Sequence, residues 1–150
     1  MTEFFKEEFM FIRNILLSSL IVTLISLSGS VAWAKPTADQ LRQTIRDHIV
    51  KQETLQKTMG LPGAFAVMDE RTGEFRNLEL IRVHERVGKT GDYYYSCTDM
   101  KDVNSGDELD LDFDIEDNDG ELSVVDVRIH KDNGNPRYTY DQNDNMIPLS

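Results

Sequence analysis

Hydrophobic residues recur at spacings of three and four between Pro36 and Gly60, which predicts an amphipathic helix. The apolar stripe consists of Ala38, Leu41, Ile45, Ile49, Leu55 and Met59, interrupted once by Gln52. Thr37 and Gln40 have the spacing of a capping box, and glycine at position 60 is a residue type that ends helices. The helix should therefore contain about 22 residues and measure about 33 Å.

After Ala64 the pattern changes to an alternation of apolar and polar residues, which is typical of β-strands. The predicted strands cover residues 65–69, 75–87, 93–100, 108–117, 121–130 and 137–141, and the tail after Asn143 is expected to be extended or loose. Short glycine-containing turns separate the strands, and such turns join antiparallel neighbours, because parallel strands need long crossovers. The sequence therefore predicts an α+β domain in which one long N-terminal helix packs on a curved antiparallel β-meander of five to six strands. This arrangement resembles cystatin-like and NTF2-like rolls in architecture only, and it transfers no function.

The register of the strands is predicted from the pairing that sets apolar residues opposite each other. A three-residue turn at residues 118–120 would place Phe113 opposite Val125. The same test on the preceding hairpin places Glu85 opposite Tyr95, with both side chains on the inward face. The last predicted strand continues the same sheet and completes its apolar face.

Residues 14–34 are uncharged and contain an apolar core followed by the small-residue ending Ala32-Trp33-Ala34. This order is typical of an export signal, in which a hydrophobic helix precedes an extended stretch with small side chains at the cleavage site. We predict a signal peptide at residues 1–34, cleaved after Ala34, and a single α+β domain at residues 35–150. The protein should then work in the periplasm or outside the cell.

The start of this segment leaves two alternatives open. Residues 1–9 are acidic where a signal has a basic lead, and a true start at Met10 would supply such a lead through Arg13. A stretch of about 20 apolar residues is also long enough to span a bilayer. An uncleaved segment at residues 15–34 would instead anchor the protein in the inner membrane.

The chain of 150 residues has a formal net charge of −11, of which residues 35–150 carry −10. A surface of this charge repels phosphate backbones and anionic head groups. Nucleic acid is therefore not an expected partner, and membrane contact is expected only through the N-terminal segment if it is uncleaved. The single cysteine, Cys97, cannot form an intrachain disulfide. Together with three scattered histidines it does not indicate a zinc cage, so no cofactor is predicted.

Acidic and apolar residues alternate strictly from Glu108 to Glu116, which puts every acid of that strand on one face. In the predicted register Asp112 lies opposite Asp126, and Asp126 lies opposite Asp141. One hypothesis is a calcium site formed by these three aspartates. The alternative is a solvated outer face that keeps the sheet from pairing edge to edge. We favour the solvated face, because a flat strand surface rarely encloses an ion that needs about six or more oxygen ligands.

Glu85 is the acid that the predicted register places inside the roll. A desolvated carboxyl group has a raised pKa, which suits an acid or base in a ligand pocket, here lined by Tyr93, Tyr95 and Tyr138. The alternative is that Glu85 lies at a bulge and reaches water, with the tyrosines as ordinary core residues.

Two further groups are judged by the face on which they lie. Tyr94 falls on the outer face beside Arg82 and Arg86, which indicates a contact patch for a partner. The alternative there is a tyrosine that merely stacks on arginine. Cys97 points inward whereas His84 points outward, so the pair does not form a nucleophile with its base.

The favoured hypothesis is a small exported, non-enzymatic module that binds an unknown protein, peptide or small ligand and presents an acidic outer sheet face. The alternatives are a ligand carrier or enzyme with an internal pocket around Glu85, and a weak calcium-binding protein. No catalytic residue is predicted.

Overall fold

The computed structural model describes residues 34–149. The predicted signal peptide lies outside the described residues except for Ala34, and so does the alternative start at Met10. Within the described range a helix, α1 (Ala38–Thr58), packs on a six-stranded antiparallel sheet, which confirms the predicted α+β class. No helix of residues 34–149 combines the length and the apolar character needed to cross a bilayer.

Helix α1 begins and ends with the caps that its sequence predicts. Thr37 Oγ1 accepts a hydrogen bond from the Gln40 amide at 3.2 Å, and the Gln40 side chain accepts one from the Thr37 amide at 2.8 Å, which completes a capping box. At the other end Gly60 adopts a left-handed φ of 75°, and the Leu61 amide donates to the Gln56 carbonyl at 3.0 Å. This Schellman arrangement favours glycine, because other residues tolerate positive φ poorly.

The apolar stripe of α1 is buried only along its middle. Leu41, Ile45 and Ile49 are almost fully buried in the core. Leu55 and Met59, which the periodicity assigns to the same stripe, are 53% and 67% exposed. Nothing within residues 34–149 covers these last turns, so the prediction of a continuous buried stripe is wrong at this end.

The main sheet is a meander in which each strand pairs with the next. Its strands are β1 (Phe65–Asp69), β2 (Glu74–Thr90), β3 (Tyr93–Asp102), β4 (Glu108–Asn118), β5 (Glu121–Asp132) and β6 (Asn135–Pro136). A separate two-stranded ribbon is formed by β7 (Tyr138–Tyr140) and β8 (Met146–Pro148), so the tail after Asn143 contains a strand. The chain leaves the main sheet at Pro136, which has no amide hydrogen to donate to the ladder. The predicted continuation of the main sheet by residues 137–141 is therefore wrong.

The register of β4 on β5 also differs from the predicted one. The turn has two residues, 119 and 120, and both have positive φ angles, of 53° and 89°. A bulge on β5 then moves the pairing again, so Phe113 faces Val127 rather than Val125. Val125 is left 47% exposed. The inward side chains of β4 are those predicted, because the extra residue lies on β5.

The register of β2 on β3 is shifted as well, and here the predicted faces are inverted. Strand β2 continues to Thr90, which pairs with Tyr93, so the turn is shorter than predicted. Tyr95 consequently pairs with Gly88, and Glu85 lies in a bulged stretch of β2. The side chains that point away from the helix are Tyr95, Cys97 and Asp99, whereas Tyr94, Ser96, Thr98 and Met100 point toward it.

The core lies between α1 and the inner face of the sheet. Strand β4 contributes a row of almost fully buried side chains, which are Leu109, Leu111, Phe113 and Ile115. The ring centroid of Phe113 lies 5.7 Å from that of Phe65 and 6.2 Å from that of His48. Burial lowers the pKa of His48, as expected for an imidazole that serves as a packing residue.

A buried ion network, which the sequence pattern does not predict, closes one end of the sheet. Both carboxylate oxygens of Asp69, in β1, accept hydrogen bonds from Arg137, at 2.6 and 2.8 Å. Arg76 of β2 pairs with Asp102 of β3 and lies 3.8 Å from Asp132 of β5. These contacts join strands that lie far apart in the sheet order, so the sheet is strongly curled. The hydrogen bonds from Arg137 hold the pKa of Asp69 down at about 2.

Candidate functional site

The face of β4 that points away from α1 is buried rather than solvated. Asp110, Asp112 and Asp114 are only 8%, 0% and 5% exposed. The side chains that contact them come from β3, β5 and the β7–β8 ribbon, and are Cys97, Arg128, His130, Lys131, Tyr138 and Tyr140. The predicted solvated acidic face is therefore wrong, because the ribbon folds back over the sheet instead of extending it. Carboxylates are buried at a high energetic cost unless they are paired or bind a metal.

Asp112 lies at the centre of this region and accepts hydrogen bonds from neutral donors. The hydroxyl groups of Tyr138 and Tyr140 each donate to its Oδ2 at 2.7 Å, and the thiol of Cys97 donates to its Oδ1. Burial, followed by the charge of Asp112, raises the pKa of Cys97 and of Tyr138. Burial and the hydrogen bond to Asp112 raise the pKa of Tyr140 as well. The three donors therefore keep their protons near neutral pH, and they bring no positive charge to Asp112.

Asp114, in contrast, has a cationic partner. Arg128 Nη2 donates to Asp114 Oδ1 at 2.9 Å, and the same guanidinium group pairs with Asp126. Burial raises the pKa of Asp114, and the charge of Arg128 opposes that shift. The charge of Asp114 is thus compensated by an ion pair with an arginine, whereas Asp112 lies beside His130, which brings a positive charge only when it is protonated.

Asp110 and His130 each leave one atom without a hydrogen bond. Lys131 Nζ donates to Asp110 Oδ2 at 2.7 Å, but the buried Asp110 Oδ1 has no partner among residues 34–149. His130 Nε2 lies 3.0 Å from the carbonyl oxygen of Tyr138. Because a carbonyl oxygen only accepts hydrogen bonds, Nε2 is the donor, and a neutral imidazole then carries its lone pair on Nδ1. Nδ1 is also buried without a partner in this range, 3.9 Å from Asp110 Oδ2 and 3.8 Å from Asp112 Oδ2.

Four residues of this region bring ligand atoms within 4.8 Å of one another, and we name them the outer cluster: Cys97, Asp110, Asp112 and His130. The outer cluster borders a cleft with a volume of about 440 Å³. The walls of the cleft include Asp110, Lys131, Ile81, Arg82 and Asp99. Asp99 is held there by His84, whose Nε2 lies 2.7 Å from Asp99 Oδ1. Of the outer cluster, Asp110 lines the cleft, beside Asp99 and Glu108.

A second depression, which we name the edge groove, lies where β1 approaches β5 and the ribbon. It has a volume of about 280 Å³. Its walls include Met68, Val127, Met146 and Leu149 on the apolar side and Arg71 and Arg137 on the polar side. The buried Nε of Arg137 has no hydrogen-bond partner in the described part of the chain. The edge groove thus combines apolar surface with charged side chains of both signs, since Glu70 lines it as well.

The four residues predicted to line an internal pocket are separated in the structure. Glu85 is exposed in the bulge of β2, so its predicted inward position is wrong. Tyr93 is 39% exposed at the end of the hairpin. Tyr95 and Tyr138 are buried, but on the outer face, where Tyr95 stacks on Tyr140 with ring centroids 4.8 Å apart. The tyrosines therefore cover the aspartates of β4 and do not enclose Glu85.

The predicted contact patch of Arg82, Arg86 and Tyr94 is divided between the two faces of the sheet. Tyr94 is half-buried and packs against the core from the inner face. Arg82 and Arg86 remain on the outer face, where they pair with Asp99 and Asp144. The prediction of one contiguous patch is wrong, because β3 presents the opposite face from the one assigned.

The three aspartates predicted as calcium ligands have different surroundings. Asp112 is buried in the outer cluster, whereas the side chain of Asp126 is 52% exposed and pairs with Arg128. Asp141 lies in the turn of the ribbon and accepts a hydrogen bond from the Asn145 amide at 2.9 Å. Hydrogen bonds from Asn145 hold the pKa of Asp141 below its usual range. The predicted position of Asp112 opposite Asp126 is wrong, because the observed backbone register places Asp112 opposite Arg128 on β5.

Sequence reasoning missed the outer cluster because it assigned Cys97 to the inner face. With the alternation of β3 inverted, Cys97 comes to lie opposite Asp112. A signal for this arrangement is present in the chain, since Tyr138 and Tyr140 are two residues apart and present hydroxyl groups on one side of an extended segment. A buried carboxylate such as that of Asp112 needs hydrogen-bond donors, and these two hydroxyl groups supply them.

No protein-family model, no curated protein and no solved structure matches this chain. The assignment of a function therefore starts from two features of the described residues. The outer cluster offers sulfur, nitrogen and oxygen atoms at one buried point, and the edge groove offers apolar surface beside guanidinium groups.

Proposed function

We propose that the protein is exported to the periplasm or the cell exterior and serves there as a small, non-enzymatic binding module. Its ligand is an extended peptide segment of a partner protein, which docks in the edge groove. The observation that supports this proposal is the edge groove itself, an apolar depression of about 280 Å³ between β1 and β5.

Unpaired strand edges favour a peptide over a compact ligand. Among the described residues β1 pairs with β2 alone, and β5 pairs with β6 only at residues 131–132. The Arg137 amide also donates to the His130 carbonyl at 2.8 Å, so the unpaired edge of β5 is limited to residues 121–129. Such edges bind extended peptides through main-chain hydrogen bonds, and neighbouring pockets select alternate side chains. The volume of about 280 Å³ lies just below the range of about 300–1,000 Å³ for small-molecule pockets, which suits a few side chains.

The groove side chains favour a peptide with apolar residues. Met68 and Met146 are 47% and 45% exposed, and methionine adapts its shape to different apolar partners. Arg71 and Arg137 stand on the polar side of the groove. Both terminal nitrogens of Arg137 already pair with Asp69 and Asp132, and Glu70 also lines the groove, so the specificity comes from the apolar side chains.

A photo-crosslinking amino acid placed at Met68 should capture one discrete partner from the native envelope fraction. The same amino acid at Leu55 is the matched control, because Leu55 is similarly exposed, at 53%, but lies on α1 outside the groove. Met146→Glu should weaken capture from Met68 by about tenfold or more, since it buries a charge in the interface. Equal labelling from both positions, or capture unaffected by Met146→Glu, would contradict docking in the edge groove.

Export is tested separately, by N-terminal sequencing of the protein isolated from envelope and medium. We expect the mature chain to begin at Lys35, because Ala34 ends the predicted signal. A retained apolar segment at residues 15–27 in the membrane fraction would indicate an anchor. A protein confined to the cytosol would refute the proposed site of action.

A further inference from the structure

We infer that the outer cluster binds a divalent transition ion of the Zn²⁺ class, with Cys97, Asp110, Asp112 and His130 as ligands. The inference does not depend on the edge groove or on the peptide proposed above, because its ligand atoms lie elsewhere on the sheet. It depends on three observations: an uncompensated charge, two unpartnered buried atoms, and the spacing of the four ligand atoms.

The first observation is the charge of the outer cluster. Asp110 is paired with Lys131, but Asp112 is fully buried and takes hydrogen bonds from hydroxyl and thiol groups that carry no charge. Burying a carboxylate without a counter-charge is strongly unfavourable. A dication between Asp110 and Asp112 would supply the missing positive charge.

The second observation is that the unpartnered atoms are metal-binding atoms. Asp110, which is only 8% exposed, leaves Oδ1 without a hydrogen bond in residues 34–149, and His130 leaves Nδ1 without one. The other imidazole nitrogen of His130 is held by the Tyr138 carbonyl, which is the outer contact that metal-bound histidines usually make. Lys131 and the two tyrosine hydroxyls hold the remaining carboxylate oxygens in the same way.

The third observation is the spacing. Zn²⁺ binds its ligands at about 2.0–2.3 Å, which separates the ligand atoms of a tetrahedron by roughly 3.3–3.8 Å. His130 Nδ1 lies 3.8 Å from Asp112 Oδ2 and 3.9 Å from Asp110 Oδ2, and one ligand atom from each of the four residues lies within 4.8 Å of the others. Both Oδ2 atoms already accept hydrogen bonds, from the two tyrosines and from Lys131, so these distances measure the approach of the side chains and not the final ligand set. Small side-chain movements therefore complete the site. The cleft beside Asp110 provides the route of entry.

The ligand types select the ion. Sulfur and imidazole nitrogen favour Zn²⁺ and related ions, whereas Ca²⁺ and Mg²⁺ require oxygen ligands. Binding replaces the proton of the Cys97 thiol with the metal, so one proton is released to solvent for each ion bound. The competing account is that His130 carries a proton and neutralises Asp112, while Lys131 neutralises Asp110, in which case no metal binds.

The test is a Zn²⁺ titration of the purified full-length protein after removal of metals with a chelator. We expect saturable binding of one ion per chain at micromolar Zn²⁺ or below, with proton release, and no competition from millimolar Ca²⁺. Co²⁺ in the same site should show a thiolate-to-cobalt charge-transfer band and an intense tetrahedral visible spectrum. Absence of saturable Zn²⁺ binding, or displacement of Zn²⁺ by Ca²⁺, would overturn the inference.

Substitutions locate the ion. Cys97→Ser should abolish the charge-transfer band, and Cys97→Ser and His130→Gln should each weaken Zn²⁺ binding by more than about 100-fold, since loss of an outer contact alone costs about 10–100-fold. His84→Gln tests the neighbouring group of His84, Asp99 and Asp110, whose ligand atoms also lie within 4.8 Å of one another. Unchanged Zn²⁺ affinity in this variant would assign the ion to the outer cluster, and a loss larger than that of Cys97→Ser would overturn the assignment. Circular dichroism checks that each variant is folded. If a variant does not fold, the thiolate-to-cobalt band of the unmodified protein still decides whether Cys97 binds the ion. Equal affinity in Cys97→Ser and the unmodified protein would refute the assignment.

Discussion

Phe113→Ala is expected to lower the free energy of unfolding by about 3–5 kcal/mol. The Phe113 side chain is fully buried, and its ring contacts Phe65 of β1 and His48 of α1. Truncation would leave a cavity where the helix and two strands meet. The backbone hydrogen bonds within the helix and within the sheet keep these elements rigid, so they cannot move together to fill it. The surrounding structure can therefore fill little of the space, which places the loss in the upper part of the range for core truncations.

Phe75→Ala is the matched control for this prediction. Phe75 is 64% exposed on β2, so the same truncation should change the free energy of unfolding by less than about 1 kcal/mol. Urea unfolding followed by circular dichroism measures both variants. Equal losses for Phe75→Ala and Phe113→Ala would mean that the core does not lie between α1 and the sheet.

The features that sequence reasoning predicted correctly depend on neighbours along the chain. The capping box needs Thr37 and Gln40, three residues apart, and the end of α1 needs a glycine at position 60. The alternation of β4 likewise identifies its inward side chains, which include Phe113. Such signals are complete within a few residues, so the helix ends, the order of the first five strands and the fold class were predictable.

The registers could not be predicted, because apolar matching assumes regular strands. One unmatched residue, Val125, is enough to move Phe113 from one partner to another. A longer β2 and a shorter turn invert the faces of β3, and with them the position of Cys97. A shift by one residue exchanges the two faces of a strand, so a small error in a turn misplaces every side chain after it.

The outer cluster could not be predicted for a further reason, which is that its cover is distant in sequence. An alternation of acids and hydrophobes normally indicates one wet face and one dry face. Here Tyr138 and Tyr140 of the ribbon bury the acidic face of β4, 26 and 28 residues after Asp112. Pro136 marks the point at which the chain departs to do this, but it does not indicate where the ribbon goes.

Asp69→Asn is expected to destabilise the protein by about 3–5 kcal/mol near neutral pH. Asp69 is fully buried, and both of its oxygens accept hydrogen bonds from Arg137, 68 residues later in the chain. Removing its charge leaves a buried guanidinium group with fewer counter-charges at the end of the sheet. Asp39→Asn is the control, because Asp39 pairs with Arg42 through a side chain that is 89% exposed, and surface pairs contribute little.

The contribution of Asp69 should also depend on pH. The pKa of Asp69 in the folded protein is about 2, below its ordinary value of 3.8, because Arg137 favours the charged form. The unfolded chain therefore binds the proton first as the pH falls, and the stability that the charge provides is present above about pH 4 and is lost as the pH falls toward 2. The difference in unfolding free energy between the unmodified protein and Asp69→Asn should thus shrink between pH 4 and pH 2, as measured by urea unfolding at each pH. A difference that stays constant over this interval would show that the carboxylate of Asp69 is not held in its charged form by Arg137.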